Sequence, residues 1–243
     1  MTLTRGIRRL AVVASAAALC GGVVAAATGL QSAAAAPAPK ATGHVLLVGT
    51  FHGVKGGYSS IQAAVNAAAP GDWILVAPGD YHEDDDLTNP PASYAEGDFG
   101  AVTITKANLH LRGMNRSTVV VDGTKPGSPE CTSNPADQQF GAVVGGQAVG
   151  RNGIVVFKAN GVSVENLTVC NILSGSQDSG NGVWWNGGDG TGAIGLKGYS
   201  GGYLTATSTY FSGESTAATY GIFSSNAQGP ATWTQLYASN QND

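Results

Sequence analysis

Between residues 58 and 83 the pattern of apolar and polar positions changes from a helical period to that of a strand. Apolar residues recur at helical spacing over 61–68, directly after two serines that can cap a helix. Pro-Gly-Asp at 70–72 ends this helix, and the apolar run 73–76 predicts a buried strand. A second Pro-Gly-Asp, at 78–80, ends the strand, because proline cannot donate to a sheet ladder and glycine accepts the positive φ of a turn.

After residue 83 the sequence pattern predicts many short strands and no further helix. The β-branched runs are separated by Gly, Asn, Asp and Pro, and they cover residues 101–105, 109–111, 119–121, 154–157 and 161–169. Strands without intervening helices are typical of a sandwich, a barrel or a solenoid. Internal similarity distinguishes among these architectures.

Three segments share one plan of strand, glycine or asparagine turn, second strand and corner: 152–172, 191–211 and 219–240. We match Ile154, Ile194 and Ile222 as equivalent positions, and we treat 174–192 as a glycine-rich insertion. Coils of this kind stack in parallel and bury apolar residues along one axis. The sequence therefore predicts an all-β, right-handed parallel β-helix with a short N-terminal capping helix. A Greek-key sandwich of antiparallel hairpins is the alternative fold.

The N-terminal segment predicts export. Three arginines precede an apolar run rich in alanine and glycine, so residues 1–35 are typical of a signal peptide, followed by a linker at 36–44 and the β-helix domain at 45–243. A membrane anchor is the alternative for the same apolar run. After cleavage, nine basic and sixteen acidic residues remain, a formal net charge of −7. This charge disfavours binding to nucleic acid or to anionic membranes, and we expect a secreted monomer.

Two cysteines remain after cleavage, Cys131 and Cys170. An exported protein meets oxidising conditions, so the sequence predicts a disulfide between them. The bond would tie the loop 125–150 to the coil that contains 162–169. Two buried free thiols are the alternative.

The helix, the first Pro-Gly-Asp turn, the strand and the sequence PGDYHE at 78–83 resemble the N-terminal cap and first coil of pectin-lyase-like proteins. More narrowly, residues 45–243 resemble secreted actinobacterial right-handed parallel β-helix repeat proteins. The resemblance implies a side groove that engages a polysaccharide, with a lyase or a glycoside hydrolase as the enzyme forms. A non-catalytic carbohydrate-binding or structural solenoid is the alternative. No polar cap follows the apolar run 233–237, so we expect further coils beyond residue 243.

An acidic run in the insertion 82–100 is a candidate calcium site. Glu83, Asp84 and Asp86 offer carboxylate oxygens, the ligands that calcium prefers. Successive residues of a strand point to opposite faces, so regular structure would not direct all of these acids to one ion. A solvated acidic loop is the alternative.

The glycine-rich insertion holds the candidate ligand site. Trp184, Trp185 and Asn186 are predicted to bind substrate, because aromatic faces next to amides and carboxylates suit sugar rings. Neighbouring side chains of an extended segment face opposite ways, so we expect one indole to pack on the coil and the other to be free. Two packed indoles are the alternative. Asp178 and Asp189 are candidates for the acid and base of glycoside cleavage, although their spacing does not show that they converge.

Arg112 is a third catalytic candidate. Pectate-lyase-like members of the resembling group use calcium with an arginine or lysine as the base, and Arg112 lies at a predicted coil corner. A structural arginine that bonds loop carbonyls is the alternative. Asn171 follows Cys170 at another corner and fits the asparagine stacks that bond turn amides inside β-helices.

Overall fold

The computed structural model describes residues 43–84, 91–189, 193–210 and 219–239. Most elements in these residues are short strands. In chain order they are β1 (Val45–Val48), β2 (Thr50–Phe51), β3 (Val54–Lys55), α1 (Ile61–Ala67), β4 (Trp73–Val76), β5 (Gly79–Tyr81), β6 (Gly100–Ile104), β7 (His110–Gly113), β8 (Val119–Asp122), β9 (Val143–Val144), β10 (Gln147–Ala148), β11 (Asn152–Phe157), β12 (Ser163–Glu165), β13 (Thr168–Cys170), β14 (Val183–Asn186), β15 (Tyr199–Gly202), β16 (Thr205–Thr207), β17 (Ile222–Ser225), β18 (Ala231–Thr234) and β19 (Tyr237–Ser239). Single 3₁₀ turns span Ala92–Glu96 and Pro135–Asp137.

The strands form three sheets that wrap one interior. Sheet I has the order β1-β4-β7-β12-β15-β18, sheet II has the order β19-β16-β13-β8-β5, and sheet III has the order β17-β14-β11-β6. Strand pairs within these sheets are parallel, and each of the four coils that begin at β4, β7, β12 and β15 contributes one strand to each sheet. The antiparallel strand pairs among the described residues are the hairpins β2-β3 and β9-β10, and one isolated antiparallel bridge joins Gly150 to Ser174. The predicted all-β parallel β-helix is confirmed, and the Greek-key alternative is excluded.

Alternation along each strand separates the interior from the outer face. In β11, Ile154 and Val156 belong to the interior core, whereas Val155 and Phe157 belong to a smaller apolar cluster on the outside of sheet III. Parallel register continues this division from coil to coil, because Val155 pairs with Trp184 and Val156 pairs with Trp185. Alternate residues of a strand therefore point into the core or towards the outer face, and only those on the outer face can contact a ligand.

The predicted equivalence of Ile194 with Ile154 and Ile222 is wrong. Val183 pairs with Ile154 on one side and with Ile222 on the other, so β14 supplies the matching position. Ile194 lies outside the strands and is 42% exposed. The segment treated as an insertion thus contains a full strand of sheet III, which the many surrounding glycines conceal in the sequence.

The N-terminal helix covers one end of the stack, as predicted. Ser60 caps α1, since its hydroxyl accepts a hydrogen bond from the Ala63 amide at 3.1 Å, and Ile61 is fully buried. Gly71 takes a φ of 93° in the following turn. Residues 78–80 end β4 but also begin β5, so they form a corner between two sheets. Within the described residues, no helix is long and apolar enough to span a membrane.

The disulfide between Cys131 and Cys170 is confirmed, and it links the second insertion to the end of β13. Asn171, directly after Cys170, takes a φ of 51°. Its side-chain amide donates to the Thr132 carbonyl, and its carbonyl accepts from the Thr209 amide, both at 2.8 Å. The predicted structural role of Asn171 is therefore confirmed, because one side chain bonds both the insertion and the turn of the next coil.

Candidate functional site

The outer face of sheet III carries an aromatic ladder. Thr103, Val155, Trp184 and Phe223 occupy one register position on β6, β11, β14 and β17. The rings of Trp184 and Phe223 lie 6.0 Å apart, and Phe223 stacks on Tyr220 at 4.7 Å. These three rings form a continuous apolar surface near the last described coil.

A cavity of about 300 Å³ lies over this ladder, and we call it the aromatic–carboxylate pocket. Its volume is at the lower end of the range for ligand pockets. The lining combines aromatic rings with carboxylates, amides and hydroxyls: Asp178, Ser179, Asn181, Trp184, Asp189, Thr219, Tyr220, Phe223, Ser225 and Asn226. The structure thus brings Asp178, Trp184 and Asp189 together, which the sequence spacing did not show.

The two predicted tryptophans lie on opposite faces of β14. Trp184 borders the pocket and donates from Nε1 to Ser225 Oγ at 2.9 Å. Trp185 is fully buried in the interior, where it packs edge-on against Trp233 at 5.0 Å. A ligand on the outer face cannot reach Trp185, so the structure places only Trp184 where substrate binding was predicted. The two indoles point to opposite faces, as strand alternation predicts. The expected free ring is wrong, because Trp184 is only 5% exposed and packs in the outer cluster with Val155 and Phe157. Both indoles are therefore packed, which is the alternative.

Buried asparagines hold the backbone that carries Asp178. Asn152 is fully buried at the start of β11, and its amide donates to the carbonyl oxygens of Phe99 and Asp178, both at 2.9 Å. Its side-chain carbonyl accepts from the Asn181 amide nitrogen at 2.7 Å. These buried polar contacts therefore fix the loop that carries Asp178 to β11, because leaving buried polar groups without partners is costly.

Asp189 is positioned from two sides. Its backbone amide donates to Glu96 Oε2 at 2.9 Å, and its Oδ1 accepts from Asn226 Nδ2 at 2.9 Å. Glu96 also forms an ion pair with Lys158. The hydrogen bond from Lys158 and then the Asp189 amide lower the pKa of Glu96, so Glu96 is ionised at neutral pH.

Asp98 is a buried acid behind the pocket. It is fully buried, and its Oδ2 accepts from Asn186 Nδ2 at 2.7 Å, while its Oδ1 has no hydrogen-bond partner. Burial, followed by the negative charges of Asp178, Asp189 and Glu96, raises the pKa of Asp98 to about 7. A carboxyl that keeps its proton near neutral pH thus lies next to two carboxylates of the pocket.

Asn186 links Asp98 to the tryptophan of the pocket. Its carbonyl oxygen accepts from the Gly188 amide at 2.8 Å and from Ser225 Oγ at 3.4 Å. Because Ser225 also accepts from Trp184, a polar chain runs from Asp98 to the indole. Asn186 is 1% exposed. The structure therefore gives this predicted substrate-binding residue contacts within the protein that position the pocket.

Arg112 lies away from the other catalytic candidates. It projects from β7 in sheet I and forms an ion pair with Glu165, its register neighbour on β12. The structure does not bring it to Asp178 or Asp189. The predicted corner position is wrong, because Arg112 lies within β7, and its role is structural through the Glu165 carboxylate and not through loop carbonyls. Among the residues described, no arginine or lysine lines the aromatic–carboxylate pocket.

The predicted calcium ligands do not form a shared site. Glu83 is 6% exposed, and its carboxylate accepts from the amides of Ile61 and Gln62 at the start of α1. Asp84 pairs with the buried Arg151 at 3.1 Å, and Asp86 lies outside the described residues. The two described acids are thus engaged by different protein groups, one as a helix cap and one as an ion-pair partner, so they do not fit the predicted ion.

Several residues of the site were missed by sequence reasoning. Tyr220, Phe223 and Asn226 lie in the third repeat, and Glu96 and Asp98 lie in the first insertion. Aligning β14 with β17 would have placed Phe223 beside Trp184, but the mistaken match to Ile194 hid this register. The local sequence pattern could not predict that Asp98 contacts sheet III, because 88 positions separate it from its partner Asn186.

The structure is similar to solved pectin methylesterases. A variant in complex with a hexasaccharide matches with a TM-score of 0.45 and 15% identity, over 79% of this chain and 48% of that chain. PemA from Erwinia chrysanthemi matches with a TM-score of 0.43 and 16% identity, over 81% and 48% of the two chains. The enzyme from Yersinia enterocolitica matches with a TM-score of 0.36 and 17% identity, over 76% and 57%. This chain spans about half the length of these structures. No family model and no curated protein matches the sequence.

Proposed function

We propose that this chain is an exported β-helix protein that binds a polysaccharide in the aromatic–carboxylate pocket. One observation carries the proposal: Trp184, Tyr220 and Phe223 line the same cavity as Asp178 and Asp189. Sugar rings present apolar C–H faces that stack on aromatic rings, and their hydroxyls bond to carboxylates and amides at the edge. The signal-peptide pattern of residues 1–35 and the disulfide support export.

Ligand binding tests the proposal directly. Isothermal titration of the purified protein with a panel of neutral and charged oligosaccharides should detect saturable binding to at least one of them. Tyr220 is 39% exposed, so Tyr220→Ala should preserve the fold and weaken binding about fivefold or more, as expected for loss of a stacking contact of about 1 kcal/mol. Trp184→Leu should also weaken binding in this titration, through the exposed edge of the indole and its packing against Phe223, because the indole is only 5% exposed.

A matched control separates the pocket from the general surface. Tyr237 is 58% exposed on β19 of sheet II, so Tyr237→Ala removes an equivalent ring from another face. Binding should be unchanged in this variant. Equal losses in Tyr220→Ala and Tyr237→Ala, with both variants folded, would refute binding at the pocket.

Hydrolysis is a second candidate function, favoured by the two carboxylates of the lining. Glycoside cleavage uses one carboxyl as an acid and another as a base or nucleophile, both next to the scissile bond. Asp178 and Asp189 are the side chains at the pocket that can take these roles. Elimination by a lyase receives no such support, because Arg112 is paired with Glu165 on sheet I.

Product analysis distinguishes cleavage from binding. New reducing ends from a bound polysaccharide, abolished in both Asp178→Asn and Asp189→Asn, would establish hydrolysis. Binding without reducing ends would identify a carbohydrate-binding solenoid. Unsaturated products with ultraviolet absorbance would instead establish a lyase and contradict the assignment of roles to these aspartates.

A further inference from the structure

Resting on the proposed glycan-binding role, we infer that the ligand of the aromatic–carboxylate pocket is a glycan whose sugars carry positively charged amino groups. The inference concerns the chemical class of the ligand and stands on the charges that surround the cavity. It separates this pocket from one that would recognise a uronate chain.

The charged side chains of the pocket lining have one sign. Asp178 and Asp189 are both acidic, and the remaining lining residues are uncharged. The nearest cation in the hydrogen-bond network is Lys158, which pairs with Glu96 and so offsets a third acid. A bound cation would therefore face two carboxylates that have no basic counterpart in the described lining.

The buried Asp98 lies within the electric field of the same acids. It bonds to Asn186 and does not line the cavity, yet the charges of Asp178, Asp189 and Glu96 add to burial in raising its pKa. Lys158 is the cation beside this group of acids, through its pairing with Glu96. Burial is the largest cause of the raised pKa of Asp98, and the added effect of the three acids reports a negative potential, which stabilises a bound ammonium group.

The arrangement suits an extended organic cation better than a metal ion. Calcium takes six to eight oxygen ligands around one point. Among the described residues, no three acids of this pocket bring their oxygens within 4.8 Å of one another. The carboxylates instead border a cavity of about 300 Å³, whose scale matches sugar rings.

The aromatic rings add to the preference of the pocket for a cationic ligand. An ammonium group over the face of tryptophan, tyrosine or phenylalanine is attracted by the ring quadrupole. Tyr220 and Phe223 provide two such faces beside Asp178 and Asp189, whereas Trp184 is 5% exposed and packs next to Phe223. A uronate would meet the same carboxylates with like charge and would be repelled.

The experiment compares matched short oligosaccharides that differ only in charge. Tetramers of glucosamine and of N-acetylglucosamine share a backbone, but only the former is cationic at mildly acidic pH, where exposed aspartates are ionised. Tetragalacturonate serves as the anionic probe, with and without calcium. We expect the glucosamine tetramer to bind about threefold to tenfold more tightly than its acetylated counterpart, with an advantage that shrinks as salt rises.

Isosteric variants assign this preference to the pocket. Asp178→Asn and Asp189→Asn should each reduce the advantage of glucosamine over N-acetylglucosamine by about threefold, measured as the ratio of the two dissociation constants in each variant. Glu130 is exposed on the second insertion, so Glu130→Gln removes one acid away from the lining. This control should keep the full advantage, which excludes a simple effect of net charge.

The outcomes distinguish the inference from the function on which it rests. Equal binding of both tetramers, with loss in Tyr220→Ala, would overturn the cationic class and leave the glycan pocket intact. Tighter binding of tetragalacturonate with calcium would overturn it in favour of a metal-bridged anion. Loss of the glucosamine advantage in Glu130→Gln to the same extent as in Asp178→Asn would also overturn it. Failure of every tetramer to bind would refute both proposals.

Discussion

Sheets I and III share one scaffold, but their outer faces have different chemistry. On sheet I, Trp73 stacks on His110 at 4.3 Å, and His110 is hydrogen-bonded to Ser163 at 2.8 Å. The next outward row of that sheet pairs Arg112 with Glu165. Coil register alone supplies these partners, so the face satisfies its own polar groups. Such a face is a ladder of paired side chains and offers few groups to a ligand.

On sheet III the register supplies rings, and the insertions supply charge. Trp184 and Phe223 are register neighbours, whereas Asp98, Asp178 and Asp189 come from segments between strands. These acids face one another with little basic compensation. In the regular coils, register neighbours on adjacent strands satisfy each other's side chains. Carboxylates without a basic partner come from the segments between strands, which interrupt the repeat.

The largest expected effect tests the division between the two faces of β14. Trp185 is fully buried, so Trp185→Ala should destabilise the protein by about 3–5 kcal/mol, the typical cost of truncating a large core side chain. Trp184→Leu should cost less stability and mainly weaken glycan binding. Urea denaturation of both variants, alongside the titration, measures each effect.

A conservative variant sharpens the same test. The Trp185 Nε1 atom is buried without a hydrogen-bond partner, so Trp185→Phe removes an unsatisfied donor while keeping a ring. Its loss of stability should be clearly smaller than that of Trp185→Ala. If Trp184→Leu unfolded the domain as strongly as Trp185→Ala, the outer cluster would be part of the core, and the two faces would not differ.

The next effect concerns the uncompensated acids, and it depends on pH. The pKa of Asp98 is about 7 in the folded protein and about 4 in an unfolded chain. Between these values the unfolded chain releases a proton that the folded protein retains, so stability falls as pH rises from about 4 to about 7. Asp98→Asn removes this pH-dependent contribution. The free energy of unfolding of the variant, relative to that of the parent, should therefore increase by about 1–3 kcal/mol between about pH 4 and about pH 7.

Urea midpoints of the parent and Asp98→Asn at several pH values measure this difference. Glu96→Gln offers a contrast with the opposite sign, because the pKa of Glu96 is lowered by Lys158 and its contribution appears as pH rises through the carboxylate range. If the free energies of unfolding of the parent and of Asp98→Asn changed in parallel with pH, the pKa of Asp98 would not be raised in the folded protein.

The smallest effect lies on sheet I. The Arg112 and Glu165 side chains are 43% and 23% exposed, so their ion pair is partly screened by solvent. Arg112→Gln should change stability by about 0–1 kcal/mol and leave glycan binding unchanged. Chemical denaturation and the same titration check both statements. A loss of binding in this variant would mean that the site extends to sheet I and would remove the contrast between the faces.

Local pattern was enough to predict much of the scaffold. The helix over 61–68, the strand over 73–76 and the pairing of Cys131 with Cys170 all followed from short-range periodicity or from cysteine chemistry, and the structure confirms them. Trp184 was also found, because an aromatic residue among amides and acids is unusual in a glycine-rich stretch. These features depend on residues that are close in sequence or on a pairing with one available partner.

The register between coils was harder to predict from the sequence. Glycines surround β14 and hide its equivalence to β11 and β17, so the sequence comparison selected Ile194 in place of Val183. In a solenoid the repeat length changes with each insertion, and an error in one coil moves every later residue to a new neighbour. The partners of Trp184 could not be identified without the three-dimensional stack.

The sequence by itself determined the N-terminal helix, the first strands and the parallel β-helix class, but not the strand β14 within its glycine-rich surroundings. Only the tertiary structure decided that Asp178 and Asp189 line one cavity with Trp184, that Glu83 caps a helix and that Arg112 pairs on another sheet. The physical reason is range. Strand and helix patterns arise from interactions over a few residues, whereas the potential at a pocket sums charges whose separation in sequence says nothing about their distance in space.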